Sequence, residues 1–493
     1  MGAHGNLETG GAMTPAASLP PLVVDLDGTL LLTDMLHESA VGLLRAAPLS
    51  VLRIPFWLGQ GRAALKAELA RRYAFEPALL PFNEPFVTWL REQHAAGRHL
   101  VLCTATDVRI AKAVAAHLGL FDEVLASDGA SNLGGNAKAR LLVERFGQGG
   151  FVYAGNSNAD LPVCGAPGAL PWWSTRRRPL ARALQSCPVE RGFPQRLAGL
   201  WEHLRMLRLH HWLKNLLLFV PLAAAHKMVE AALWPQLLLA FFAFCLCASA
   251  VYLANDLLDL ESDRRHPRKR TRALASGRVP LRRAALLSPL LLACGLGLGA
   301  AVGPAFLGWL GGYFLLTCAY SLALKRVALV DCLTLAVLYT LRIVAGGAAV
   351  DVPLSFWLLA FALFLFLSLA FVKRYAELLA QAPSTPGAVH GRGYHVADAP
   401  MVAALGVGSG YASALVLALY LNSEAVVRLY RTPECLWATV PVLLYWLSRM
   451  WLKARRGEMH DDPLIFAVKD KASLVAGLLF ASVLVAGTVV WPW

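Results

Sequence analysis

The sequence predicts two domains of different solvent class: a soluble α/β domain built on parallel strands, followed by an all-α membrane domain of about nine transmembrane helices. Three observations carry this. Of the 493 residues, 57% are hydrophobic and only 16% are charged, with a mean hydropathy of +0.51, too apolar for an ordinary soluble protein. The apolar residues are also uneven: up to residue 205 polar and apolar segments mix as in a globular domain, and beyond it long uncharged runs dominate. Within the front part, short β-branched runs each end in carboxylates, hydroxyls or glycine, as strands do when chemistry sits at their carboxyl ends.

The boundaries follow from composition. Residues 1–20 lack a basic start followed by an apolar segment and read as a loose tail, so the front domain (21–190) is expected to stay in the cytosol. A linker over 191–204 leads to the membrane domain, 205–493. Net charge is +14, but the basic residues cluster in a few short loops rather than one stripe, which favours membrane topology and phosphate binding and argues against nucleic acid. Nine scattered cysteines without a CxxC pair indicate neither a zinc site nor a disulfide framework.

In the front domain, Pro21-Leu-Val-Val-Asp25-Leu-Asp27-Gly28-Thr29 reads as a buried strand ending in two carboxylates. A second strand, from His99 to Cys103, stops at Thr104-Ala105-Thr106-Asp107, and a third, Phe151 to Ala154, stops at Gly155-Asn156-Ser157-Asn158-Ala159-Asp160; Lys138 lies between them. In a doubly wound sheet these ends converge in one crevice. The ordered set, DxDGT above all, resembles the haloacid dehalogenase-like (HAD) family. That resemblance implies Asp25 as the nucleophile of an aspartyl-phosphate and Asp27 as the acid/base, with Thr104 bonding the phosphoryl group and Lys138 neutralising it. It further implies Mg²⁺ held by Asp25, Asp27 (through its carbonyl) and Asp160, with Asn156 where the family usually carries an Asp, an oxygen without a charge. Residues 36–97, rich in helix formers, fit the family's helical cap.

Apolar segments recur at 213–226, 231–254, 285–302, 304–324, 328–349, 354–373, 401–421, 434–452 and 472–491, the first interrupted by Pro221 and His226. At about 1.5 Å per residue most can cross a core of about 30 Å. With the front domain in the cytosol, loops after even-numbered spans should carry the Lys and Arg excess, and they do: the stretch 255–283, Lys325-Arg326, Lys373-Arg374, and Arg449 with Lys453, Arg455 and Arg456. The opposite loops are short and not basic, Arg428 and Arg431 excepted.

Where the second span meets the cytosol, Asn255, Asp259 and Asp263 are spaced by four, and Asp256 lies three before Asp259, so all four are expected on one helix face. Stacked like charges repel unless a cation compensates, and Mg²⁺ bridged to a diphosphate is the natural one. Pro267 ends the helix, and the following run, with Lys269 and Arg270, can bind further phosphate. A solvated acidic helix end before a positive-inside loop explains the cations but not the carboxylate stripe. The NDxxDxxxD pattern resembles that of the UbiA superfamily of intramembrane transferases, and about nine spans match it. Further residues resemble its decaprenyl-phosphate phosphoribosyltransferase branch: Lys214 and Asn215 before the first span, Tyr320 and Lys325 around the end of the fourth, Asp331 and Arg342 in the fifth, and His460-Asp461-Asp462-Pro463-Leu464 before the last. Where the aromatic prenyltransferases of the superfamily carry a second DxxxD, this chain reads Lys373-Arg374-Tyr375-Ala376-Glu377.

The resemblance therefore implies catalysis by Asp256, Asp259 and Asp263 around Mg²⁺, with phosphoribosyl diphosphate and a polyprenyl phosphate as substrates at the cytoplasmic membrane face. The HAD-like domain would then remove the product's 5-phosphate. Single-residue signals keep two readings each: Asp331 suits a helix N-terminus by its charge alone, Lys214 can be an interfacial anchor and Tyr320 an interfacial aromatic, whereas a charge as deep as Arg342 points to function. Two rivals stand beside this reading: a prenyl diphosphate transferred to an aromatic or other lipid acceptor, and a non-catalytic scaffold or transporter. A homo-oligomer is compatible with the sequence.

Overall fold

The computed structural model describes residues 19–164, 170–173, 193, 198–381, 393–459 and 462–489. Contacts divide the chain into two compact units, one of Met1–Met206 with Asp256–Ala285, the other of Leu207–Asn255 with Leu286–Trp493. The basic stretch after the second apolar segment thus packs with the front residues, a long-range association that composition does not reveal.

In the first unit β1 (Leu22–Val24), β2 (Leu100–Asp107), β3 (Glu123–Ser127), β4 (Val152–Ala154) and β5 (Leu170–Trp173) form a parallel sheet in the order β3-β2-β1-β4-β5. Val24 pairs with Leu102 on one side and Ala154 on the other, so the residues that follow β1, β2 and β4 end at one edge. Alternate residues face opposite layers, which explains why β1, β4 and the first four residues of β2 are apolar without alternation, while β2 continues through its polar end, residues 104–107. Leu22 and Val24 pack with α3 (Glu84–Ala95) and α4 (Val108–Leu118), whereas Val23 and Val101 pack with α5 (Asn136–Phe146). The remaining helices of this unit include α1 (Met35–Ala46), whose Asp34 N-cap accepts the Leu36 and His37 N–H groups, and α2 (Arg62–Arg72). With Trp57 of the short helix between them (Ile54–Gly59), Leu43 of α1 and Leu65 and Leu69 of α2 form a small apolar cluster of their own. The cap is therefore narrower than 36–97: Phe86, Val87, Trp89 and Leu90 of α3 belong to the sheet's core.

The second unit is helical. Its elements are α6 (Trp234–Leu258, which enters the first unit at Asp256), α8 (Leu281–Val302, which leaves the first unit after Ala285), α9 (Pro304–Leu322), α10 (Val330–Ala349), α11 (Phe356–Gln381), α12 (Ala399–Leu421), α13 (Thr439–Arg455), α14 (Pro463–Lys469) and α15 (Lys471–Ala486); α7 (Leu260–Arg265) lies in the first unit. Among the described residues seven helices are long and apolar enough to cross a bilayer, and Lys471–Ala486 is a shorter apolar helix. The first expected span is instead a 3₁₀ segment, Leu209–Phe219, followed by a short α-helix, Val220–Ala224, with Pro221 in its first turn. Together these give nine apolar segments in the expected order, in an integral membrane protein. Much of α6 and α10 is buried, whereas α8 and α9 present Leu286, Leu290 and Leu315 outward, as lipid-facing helices do.

Candidate active sites

At the sheet's carboxyl edge Asp25 directly follows β1 and is buried, its Oδ1 2.7 Å from the Lys138 ammonium of α5. The same ammonium lies 3.5 Å from Asp160 and donates to the Tyr153 hydroxyl (2.8 Å), which donates in turn to Asp160 Oδ1 (2.8 Å). The other Asp160 oxygen accepts from the Ser157 N–H and hydroxyl at 3.0 and 2.8 Å and from the Asn156 N–H, so the loop after β4 wraps around it. Burial pushes the Asp25 carboxyl up to about 7 against the opposing pull of Lys138, and Asp27 up to about 6, with Asp34 adding to the rise. Burial works against the Lys138 charge, but Asp25 and Asp160 outweigh it and hold the ammonium above its ordinary value.

Asp27 accepts from the Met35 N–H at 2.8 Å and from the Thr106 hydroxyl at 2.6 Å. Thr104, the expected phosphoryl ligand, is fully buried, and its oxygen accepts the Thr106 N–H (3.1 Å); Thr106, two residues on, lines the cavity with Asp25, Asp27, Lys138, Asn156 and Asp160. Sequence reasoning missed Thr106 and Tyr153, although Thr106 stood in the quoted strand end and shares the side-chain phase of Thr104. Gly28 is required where it stands: its φ is +75°, and a Cβ there would lie 1.9 Å from the Asn156 amide nitrogen.

The acidic ladder is not one uninterrupted helix face. α6 ends at Leu258, Asp259 is the N-cap of α7, and Asp263 lies in that short helix, its N–H bonded to the Asp259 carbonyl at 2.8 Å. The Arg272 guanidinium reaches back to bridge Asp256 (3.2 Å) and Asp263 (2.6 Å), both buried. Burial raises the Asp263 carboxyl above its ordinary value despite Arg272. Lys269 and Arg270 are exposed on the following turn. Arg264, next to Asp263, forms a bidentate pair with Glu38 of α1 at 3.1 and 2.6 Å, the Glu38 side chain 1% and the Arg264 side chain 7% exposed. Neither Arg272 nor the Glu38–Arg264 pair was foreseen.

Among the described residues no three His, Cys, Asp or Glu side chains are gathered as a metal site. Instead one cation is shared by two carboxylates in each place: Lys138 by Asp25 and Asp160, and Arg272 by Asp256 and Asp263. Hard oxygen donors, paired and partly neutralised by a displaceable side chain, fit Mg²⁺, which takes one or two carboxylates and fills its shell with phosphate and water.

In the second unit Asn255 donates to Ser321 Oγ at 3.0 Å. Lys214 pairs with Asp462 at 2.7 Å, and Lys373 approaches the same carboxylate at 3.6 Å. Asn215, fully buried, accepts from Arg342 Nε at 2.9 Å, and Arg342 also donates to the Tyr313 hydroxyl at 3.0 Å. Gly346, one turn beyond Arg342, permits this: a Cβ there would lie 2.1 Å from the Leu218 carbonyl, so only glycine lets α10 come so close to the 3₁₀ segment. Asp331 is not near Arg342's partners; it pairs with the fully buried Arg374 at 2.5 Å and accepts from Tyr394 at 2.6 Å, a buried ion pair that accounts for its charge structurally. Tyr320 and Lys325 are half-buried, at the end of α9 and just beyond it. His460 and Asp461 lie outside the described residues.

Comparison with known proteins places both halves. The model of the UbiA prenyltransferase family matches residues 216–469, and that of haloacid dehalogenase-like hydrolases matches residues 22–164. The uncharacterized protein y4nM of Sinorhizobium fredii is 38% identical over 473 residues, 94% of this chain and 90% of that protein. The nodulation protein NoeC of Azorhizobium caulinodans is 37% identical over 271 residues, 54% of this chain and 87% of NoeC. The decaprenyl-phosphate phosphoribosyltransferase of Mycolicibacterium smegmatis is 38% identical over 179 residues, 36% of this chain and 56% of that enzyme.

Proposed function

The chain belongs to the UbiA prenyltransferase family, and from that premise we propose that it transfers 5-phosphoribose from phosphoribosyl diphosphate to a polyprenyl phosphate at the cytoplasmic membrane face. The observation that carries this reading is the buried pair Asp256 and Asp263, bridged by one guanidinium, with further cations on the adjoining turn. Likeness to decaprenyl-phosphate phosphoribosyltransferases favours phosphoribose over a prenyl group as the cargo. Mg²⁺, held by Asp256, Asp259 and Asp263, would neutralise the diphosphate and make it a better leaving group. Arg272, Lys269 and Arg270 bind phosphate oxygens that the carboxylates repel. Buried Lys214 and Arg342 and the half-buried Lys373 are cations of the second unit with which a phosphate head group pairs.

The front domain acts as a phosphomonoesterase on the 5-phosphate of the product. Asp25 attacks phosphorus, forming an aspartyl-phosphate while the bond to the ribose oxygen breaks and Asp27, steadied by Met35 N–H and Thr106, protonates that oxygen. Water, losing its proton to Asp27, then cleaves the aspartyl-phosphate to free phosphate and restore Asp25, and Lys138 holds the charge of the phosphoryl group throughout. Tethering both activities in one chain raises the effective concentration of the shared intermediate. Labelled phosphoribosyl diphosphate, polyprenyl phosphate and Mg²⁺ with the purified protein should place label in the lipid phase; label entering lipid only from a prenyl diphosphate would overturn the reading. With Asp25→Asn the transfer should continue while phosphate release falls by about 10³-fold or more and the phosphorylated lipid accumulates. Asn156→Asp adds a charge beside Asp160 and should lower the Mg²⁺ concentration for half-maximal phosphate release by about tenfold, read from a Mg²⁺ titration.

A further inference from the structure

The front-domain cavity is larger than its chemistry needs. It measures about 1260 Å³, above the range of about 300–1,000 Å³ usual for small-molecule sites, whereas a phosphoryl group attacked by Asp25 would need only the corner defined by Asp25, Lys138 and Asp160. Much of the remaining wall is cationic and comes from two elements that have no part in the hydrolytic step. One is α2 of the cap, which contributes Arg62 and Lys66; the other is the turn before α8 with that helix's first residues, which contributes Arg278, Arg282 and Arg283.

These cations are not equivalent. Lys66 is occupied by the Ala105 carbonyl and the Asn132 side chain, Arg278 by Glu202, and Arg283 by the His203 ring. Arg62 and Arg282 are exposed and make no ion pair among the described residues. Arg282 lines the same cavity as Asp34, Leu36 and His37, the residues at the start of α1. Unpaired guanidinium groups on the wall of a cavity whose floor binds one phosphate are suited to hold a second anionic group of the same molecule.

We propose that Arg282, assisted by Arg62, selects substrates of the front domain that carry a second phosphate beside the one cleaved. The ligand class is a sugar bearing a terminal phosphomonoester and, at its other end, a phosphate ester or diester. This rests on reading the front domain as a phosphohydrolase and names what that domain prefers; Arg282 contacts the uncleaved phosphate and takes no part in bond breaking. It also gives the segment 277–283 a role in the hydrolytic site, although its sequence position puts it among the membrane helices.

Full-length protein in detergent would be assayed for phosphate release from ribose 5-phosphate and from ribose 1,5-bisphosphate. Wild type should favour the bisphosphate, and Arg282→Glu should raise KM for it about tenfold or more, leaving kcat and the ribose 5-phosphate constants within about twofold; Arg282→Lys should restore most of the preference. Binding of both compounds to the Asp25→Asn protein, with and without Arg282→Glu, reads the same preference without turnover. Equal effects of Arg282→Glu on both compounds, or an unchanged ratio in both measurements, would overturn the proposal. Absent phosphate release from wild type with a binding preference that Arg282→Glu abolishes would instead overturn only the phosphohydrolase reading.

Discussion

Asp256→Asn and Asp259→Asn should each reduce transfer of label to lipid by about 10³-fold or more, with the protein still folded. The expectation combines two effects. Each substitution removes a charged oxygen from the set that would hold Mg²⁺ against the diphosphate, and hard cations are held by charged oxygen far better than by amide oxygen. Each is also isosteric, and Arg272 keeps its shorter contact to Asp263 when Asp256 is changed, so local packing survives. The measurement pairs lipid-phase label with thermal unfolding of the same preparations. Normal unfolding with full transfer from every donor would remove the acidic ladder from the mechanism altogether.

Glu38→Ala should destabilise the first unit by about 3–5 kcal/mol, because it strands a buried guanidinium without a counter-charge. Arg264→Ala should be comparably damaging, leaving the Glu38 carboxylate buried at 1% exposure. The double replacement Glu38→Leu with Arg264→Met removes both charges and fills their volume, and should recover most of the loss. Denaturant unfolding of the three proteins in one detergent tests this; a double variant less stable than either single would show that the pair acts through more than its charge. Excising residues 1–206 is expected to fail for the same reason, since the segment 256–285 then loses the surface it packs on.

The legible parts of this chain were those encoded locally. Strand ends could be read because β1 and β4 are apolar and stop at Asp25 and Gly155, whereas β2 runs on past its apolar stretch, through Thr104 to Asp107; parallel pairing then aligns Asp25, Cys103 and Gly155 at one edge. Spans could be read because uncharged runs of that length have no other stable home. The cap was overextended to residue 97, since helix-forming composition does not say whether Trp89 faces a cap or a sheet. Thr104 and Thr106 share a strand face, and only the bulged end of β2, where pairing with β3 shifts between Thr104 and Asp107, separates the buried hydroxyl from the cavity-lining one. The helix break at Asp259 was invisible because i, i+4 spacing persists through it. Long-range partners were beyond reach: nothing near Arg264 points to Glu38, 226 positions earlier, or near Lys214 to Asp462.

That separation has a temporal corollary. Ribosomes add about 5–20 residues each second, so Glu38 waits about 11–45 s before Arg264 is even polymerised. The first unit, which includes Asp256–Ala285, therefore stays incomplete until the apolar helix Trp234–Leu258 has been synthesised. Completion of the first unit thus waits on translation of the first long apolar helix of the second.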